Sequence, residues 1–337
     1  MKILVGISGG VDSAFAAKKL LLLGHEVEGA VLVMHDYTEI LAAREVAASV
    51  GIRLHEIDSR VAFEEIKKNF VSEYINARTP NPCIICNERV KFRRLYDFAM
   101  AGGFDAIATG HYASIVRSDG RYALATAEDS RKDQTYMLYR LPQDILSRLI
   151  LPLSEGTKDE VRRLTRELGI SSADRGDSQE ICFLPDGGHT DYIESVAGKC
   201  PEGDFVDGEG RILGRHKGII HYTVGQRKGL GISLGERAFV TDIDPVANTV
   251  TLSPEMSGKA TVHLTDTVYS GMTPPTEECE VELDVKLRYT APLVPARARL
   301  YPDGRATLTL STPQKFAPGQ SAVLYRNGVV MLGGFIG

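Results

Sequence analysis

Ile3 to Ile7 is an uninterrupted uncharged run, the pattern of a strand buried on both faces of a parallel sheet. A glycine turn follows. Ser13 to Leu23 then spaces its apolar residues as a helix does, and Gly24 marks its end. Val27 to Met34 reads as a second strand, Glu39 to Val50 as a helix stopping at Gly51, and Ile52 to Ile57 as a third strand. Phe63 to Ile75 is helical again, and Ala106 to Gly110 is a fourth strand. This alternation predicts an α/β doubly wound parallel sheet. Near residue 204 the texture changes. Short apolar runs (Val240 to Ile243, Thr249 to Leu252, Glu280 to Leu287, Ala306 to Leu310) alternate with Gly, Pro, Asn and Asp turns. The expected organisation is a nucleotide-type domain over 1–203, a β-rich domain over 204–270 and a β-barrel over 271–337.

The 337 residues carry 39 basic and 44 acidic side chains, a net charge of −5. That excludes a protein that coats nucleic acid by bulk charge and leaves room for local basic patches. Five cysteines in a chain this long argue against a secreted disulfide framework. No apolar run approaches the roughly 20 residues of a membrane span, and the first residues lack a signal-peptide layout. A cytoplasmic, reducing compartment is expected, and nothing demands more than a monomer.

Between the first strand and first helix, Gly6 and Ile7 lead into Ser8-Gly9-Gly10-Val11-Asp12-Ser13. Glycines let backbone amides converge on an anion, and the helix start adds its positive dipole end. The Ser8 and Ser13 hydroxyls supply further donors, and Asp12 is a candidate ligand for a phosphate-bridging Mg²⁺. There is neither a Walker A lysine nor a GxGxxG fingerprint. The plain alternative is a turn whose Asp12 and Ser13 only cap a helix.

Cys83 and Cys86 stand in Arg78-Thr79-Pro80-Asn81-Pro82-Cys83-Ile84-Ile85-Cys86-Asn87, stiffened by two prolines. Arg89, Lys91, Arg93 and Arg94 follow, and nearby cations favour a thiolate. Cys182 lies in Asp177-Ser178-Gln179-Glu180-Ile181-Cys182-Phe183. A zinc site would need a second ligand pair, and Cys182, Cys200 and Cys279 are solitary. Taken alone, Cys182 reads better as a small buried hydrophobe.

The Ser8–Ser13 loop resembles that of the PP-loop ATP pyrophosphatases. Together with Arg78 to Cys86, Thr109-Gly110-His111-Tyr112-Ala113, Lys132-Asp133-Gln134, Asp177 to Phe183 and Tyr222 to Ile232, it resembles the tRNA-specific 2-thiouridylases. The resemblance implies that ATP adenylates the C2 oxygen of a wobble uridine, and that sulfur then arrives as a persulfide from a donor protein. Cys182 would carry the persulfide. Cys86 would be the nucleophile that releases sulfide or closes a Cys86–Cys182 disulfide. ATP would contact Gly6, Ile7, Ser8, Gly9, Gly10, Val11, Asp12, Ser13, Met34 and Gly110. Asn81, Pro82 and Cys83 would lie against the extruded base. His111, Lys132, Asp133, Gln134, Arg288, Tyr289 and Gln320 would contact tRNA. The chain departs from the family pattern in its short stretch after Met34 and at Cys83, where some members carry aspartate.

Other readings stand beside this one. Cys83, Cys86 and Cys182 are a candidate set for a [4Fe–4S] cluster that takes over sulfur delivery. A PP-loop ligase acting on a small molecule would need no RNA-holding β-rich tail. A non-catalytic RNA-binding protein would need neither the intact loop nor both cysteines.

Overall fold

The computed structural model describes residues 1–36, 38–170, 181–185, 188–233, 235 and 237–337. In chain order its first part contains β1 (Lys2–Gly6), α1 (Val11–Leu22), β2 (Glu26–Val33), α2 (Ile40–Val50), β3 (Leu54–Asp58) and α3 (Arg60–Ile75). Then come α4 (Pro82–Cys86), a π-helical turn (Asn87–Lys91), α5 (Phe92–Ala101), β4 (Ala106–Ala108), the hairpin β5 (Ser114–Ser118) and β6 (Arg121–Ala125), α6 (Thr135–Leu138), α7 (Gln143–Leu146), β7 (Leu149–Ile150), α8 (Lys158–Glu167) and α9 (Gly188–Ala197).

Five parallel strands make the first sheet in the order β3-β2-β1-β4-β7. Side chains alternate between the faces of a strand. Ile3, Val5 and Ile7 therefore meet Ala14, Ala17 and Leu20 of α1 and Val46 of α2. Leu4 and Ile107 meet Phe92, Leu95 and Ala99 of α5 on the other face. The doubly wound sheet predicted from alternation is present. The chain moves outward from β1 to β3, then returns to β4 on the opposite side of β1. This reversal is the switch point at whose carboxyl edge such sheets bind ligands.

The second sheet holds β8 (Gly203–Val206), β9 (Ile212–His216), β10 (Phe239–Asp244) and β11 (Thr249–Ser253), ordered β10-β11-β8-β9. Its Phe205, Val240, Val250 and Leu252 share a core with Phe63 and Phe70 of α3. The third sheet holds β12 (Lys259–Tyr269), β13 (Cys279–Lys286), β14 (Val294–Leu300), β15 (Ala306–Gln314), β16 (Ser321–Arg326) and β17 (Val329–Ile336). It closes into a barrel because β17 pairs both with β16 and back onto β12. Val294, Ala296, Ala298 and Leu300 of β14 line its interior on alternate positions. β12 lies ahead of the boundary expected near 270 and pairs with β15 and β17, so the barrel strands begin at Lys259. The β5–β6 hairpin extends this sheet beyond β17. Among the described residues no helix is long and apolar enough to cross a membrane.

Candidate active site

The Ser8–Ser13 loop lies at the switch point. α1 begins after Gly10 without a side-chain cap, so its first amides remain open to an anion. Instead of capping, Ser13 donates to the Gly10 carbonyl (3.0 Å) and accepts from the Ser8 amide (3.2 Å), which holds the turn. Gly9 has φ +86°, and a β-carbon there would fall 2.7 Å from Cβ of Ala42. Gly110, just beyond β4, would bring a β-carbon to 2.5 Å from the Asp12 carbonyl carbon. Both positions demand glycine, for conformation and for space respectively. Both Asp12 carboxylate oxygens are engaged: Tyr112 Oη donates to Oδ1 (2.8 Å) and Lys158 Nζ to Oδ2 (2.6 Å). Met34 follows β2, with its amide on Thr38 Oγ1 (3.2 Å), and packs against the cluster that holds Cys86.

Asn81 caps α4 by accepting from the Cys83 amide (3.2 Å), with Pro82 in the first turn, the position where a missing N–H costs nothing. Asn81 also reaches Met137 Sδ (3.4 Å), and Asn87 donates to the Met137 carbonyl (3.0 Å). Cys83 is half-buried and Cys86 buried, while Cys182 is exposed. Cys86 shares one apolar cluster with Ile85, Val90, Phe70 and Phe183, the residue that follows Cys182 in the sequence. The cations after Cys86 predicted a thiolate. Burial overrides them: desolvation pushes the Cys86 thiol up to about 12, although Lys91 pulls the other way through its charge and its amide. Surrounding protein also raises the Cys182 thiol, again opposed by Lys91. Among the described residues, no group of three or more His, Cys, Asp or Glu side chains is placed to hold a metal ion. Cys83, Cys86 and Cys182 are not grouped in this arrangement as a three-cysteine ligand set would be. Asp177 to Glu180 lie outside the described residues.

The remaining expected contacts fall into two groups. Lys132, Asp133 and Gln134 precede α6. Asp133 is buried, with its carboxylate accepting from the Ala127 amide (3.2 Å) and Thr135 (2.7 Å), and Gln134 accepts from the Tyr112 amide (2.9 Å). These two side chains hold the loop. Tyr289 packs toward Tyr136 of α6 at 6.1 Å between rings, and feels the charges of Lys132 and Asp133. Arg288 is exposed beside it. His111 lies against Phe92 (5.3 Å) with Nδ1 on Thr109 Oγ1 (2.9 Å), and burial drives its pKa down to about 3, so the ring is neutral. Gln320 follows Pro318, whose carbonyl accepts from the Thr79 amide (2.7 Å). The barrel thereby touches the segment leading to Asn81. The buried Gln320 Oε1 has no hydrogen-bond partner among the described residues.

Sequence reasoning missed Lys158, Tyr112 as an Asp12 partner, and Arg140. Lys158 had a legible sign: Thr157 to Glu160 spells a capping box, which forms, and it fixes Lys158 at the start of α8. Arg140 is buried between Glu88 of the π-turn (2.7 Å) and Asp266 of β12 (2.9 Å).

Three family models cover the chain in succession: a tRNA methyl transferase HUP domain over residues 1–186, a tRNA methyl transferase PRC-barrel domain over 190–254, and an aminomethyltransferase β-barrel domain over 255–336. The tRNA-specific 2-thiouridylase MnmA of Clostridium perfringens is 41% identical over 357 residues, covering 99% of this chain and 98% of that one. Its counterpart in Chloroflexus aurantiacus is 42% identical over 353 residues, with 99% and 98% covered. Among solved structures, the NMN synthetase of Francisella tularensis matches at a TM-score of 0.35 and 18% identity, covering 59% of this chain and 78% of that one, too distant to bear weight. Similarity of this depth along the full length of such relatives means that the chain belongs to the tRNA-specific 2-thiouridylase family.

Proposed function

We propose that this protein is an ATP-dependent tRNA-uridine 2-sulfurtransferase of the cytoplasm, acting on wobble uridines. The uracil O2 attacks the α-phosphorus of ATP. The bond from that phosphorus to its bridging oxygen breaks, and pyrophosphate leaves with the electron pair. The terminal sulfur of a Cys182 persulfide, loaded by a donor protein, then bonds to C2. Cys86 Sγ, giving up its proton to solvent as it reacts, attacks Cys182 Sγ, so a Cys86–Cys182 disulfide forms while the transferred sulfur keeps the S–S electron pair. AMP departs with the original oxygen. An external thiol reductant restores both cysteines.

The observation that carries this reading is that Met34, Cys86 and Phe183 pack on one apolar cluster. The segment after β2, the helix bearing Cys86 and the residue after Cys182 thus contribute to one cluster. Asn81 caps the short helix that bears Cys86, Pro82 and Cys83 open it, and these three would lie against the base. Asp12 fits Mg²⁺ by donor chemistry, being a partly exposed carboxylate in the first turn of α1. Such an ion takes most of its oxygens from phosphates and water, and it would neutralise polyphosphate charge.

The test is mass spectrometry of tRNA nucleosides after incubation with ATP, Mg²⁺ and a persulfide-loaded donor. The expected result is 2-thiouridine with wild type and none with Cys182→Ser. ATP cleavage unaffected by tRNA, with no thiolated nucleoside, would instead favour a small-molecule ligase.

A further inference from the structure

We propose that Cys83 is the resolving thiol of the sulfur-transfer cycle: it takes Cys86 over from the Cys86–Cys182 disulfide and returns Cys182 as a free thiol, ready to be loaded again. The proposal rests on the reading that transfer ends in that disulfide.

The three sulfurs are unequally accessible. Cys182 is exposed, Cys83 half-buried and Cys86 buried. Cys83 and Cys86 both lie on α4, and residues three apart on a helix are neighbours, with Cβ atoms about 5–6 Å apart. A disulfide needs about 3.5–4.5 Å, so a slight closing of this one turn joins them. It is the spacing that disulfide oxidoreductases use. Asn81 holds the Cys83 amide (3.2 Å), and the π-helical turn begins directly after Cys86. Ile181 and Phe183, on either side of Cys182, pack on the cluster that contains Cys86. Charge on Cys83 is felt at both of the other sulfurs. A metal site needs three sulfurs around one point at once. Exchange needs them only in pairs, one after the other.

The end of the transfer step leaves Cys86 and Cys182 joined. Access decides which sulfur of a disulfide is attacked. An external thiol meets the exposed end, Cys182, and attack there leaves the carrier capped as a mixed disulfide. Attack on the buried Cys86 sulfur has to come from within the protein, and Cys83 stands on the same helical turn. Cys83 Sγ gives its proton to solvent and bonds to Cys86 Sγ. The Cys86–Cys182 bond breaks, and Cys182 Sγ leaves with the electron pair and takes up a proton. One disulfide replaces another, so the exchange carries no net oxidation or reduction. Lys91, whose charge favours the Cys182 thiolate, eases that departure, because a more acidic thiol leaves faster. The external thiol reductant then reduces the Cys83–Cys86 bond from its more accessible end while Cys182 is reloaded.

The experiment is disulfide mapping after one turnover. The full chain is incubated with tRNA, ATP, Mg²⁺ and a persulfide-loaded cysteine desulfurase in limiting amount, without external thiol. It is then quenched in acid, alkylated and digested with trypsin unreduced. Trypsin leaves Cys83 and Cys86 together on the peptide Thr79–Arg89 and Cys182 on another. A Cys83–Cys86 bond therefore lightens one peptide, whereas a Cys86–Cys182 bond links two. Wild type is expected to show the Cys83–Cys86 bond in molar amount equal to the 2-thiouridine formed, with Cys182 alkylated, and no disulfide when ATP is omitted. Cys83→Ser and Cys83→Ala are expected to stop at the Cys86–Cys182 cross-link, in proportion to the 2-thiouridine they form, and to refuse a second persulfide until reductant is added. A wild-type chain that stops at the Cys86–Cys182 cross-link overturns the proposal, as does a Cys83–Cys86 bond that forms equally without ATP. Both results are read from wild type, so they stand even if the variants fail to fold. Thiolated nucleoside with neither disulfide overturns the transfer reading itself, which separates the two failures.

Discussion

Gly110 lies so close against Asp12 that a β-carbon added at 110 would fall 2.5 Å from the Asp12 carbonyl carbon, backbone against backbone. The contact seats the end of β4 on the first turn of α1. Backbone atoms on both sides leave no side chain to step aside. Gly110→Ala is expected to cost about 1–3 kcal/mol by overpacking and to weaken ATP binding, because relief requires the loop to shift. Urea unfolding with nucleotide titration checks both. A variant with wild-type stability and affinity would mean that this edge is pliable.

Cys86 sets a pH dependence. In the unfolded chain a thiol ionises near its ordinary pKa of about 8.5. In the folded protein burial holds it protonated up to about 12. Below the lower value both states keep the proton and the contribution is constant. Above it the folded form binds more protons, so stability falls as pH rises, by at most about 1.4 kcal/mol per unit. Cys86→Ala lacks this loss. The stability gap between wild type and variant is expected to shift in the variant's favour from about pH 8 to about pH 10. Parallel curves would show that the folded thiol ionises freely.

Arg140 joins the turn behind Cys86 to the barrel. Its guanidinium lies over Phe335 (4.7 Å) between Glu88 and Asp266, and its side chain is 3% exposed against 57% for Asp266. Arg140→Met strands Glu88 and is expected to cost about 3–5 kcal/mol, whereas Asp266→Asn removes a solvated partner worth about 1 kcal/mol or less. Denaturant titrations should rank them in that order. Equal effects would mean that the pair is effectively in solvent.

Arg288 is exposed, with no ion-pair partner among the described residues. If it meets an RNA phosphate, Arg288→Ala weakens binding of every tRNA alike. It also lowers the slope of log affinity against log salt by about 0.9. Filter-binding across a salt series measures this, and an unchanged slope rules out the contact.

What could be read from residues alone divides by range. The Ser8–Ser13 turn is a local device, so six adjacent letters sufficed. Four of the five parallel strands were legible, β1 most clearly because burial on both faces leaves a continuous apolar run, whereas the two-residue β7 was not. β14 did not, because Val-Pro-Ala-Arg-Ala-Arg-Leu places small alanines inward and arginines outward, a weak apolar signal. Thiol chemistry was misjudged for a related reason. The cations near Cys86 are neighbours in sequence, whereas Phe70 and Phe183, which desolvate it, come from distant segments. Lys158 went unread because Asp12, a partner it reaches, is 146 positions away.

The hairpin β5–β6 and strand β17 belong to one sheet, with Val329 opposite Ala125 and the Thr126 amide on the Gly328 carbonyl (2.9 Å). During synthesis the hairpin emerges about two hundred residues before its neighbour exists. Because N-terminal parts generally fold first on the ribosome, that hairpin must wait with an open edge, the kind of surface that invites mispairing. Arg121 and Ser118, whose side chains grip the carbonyls of Tyr269, Ser270 and Gly271, offer an earlier foothold, so translation past residue 271 would already begin to shelter it.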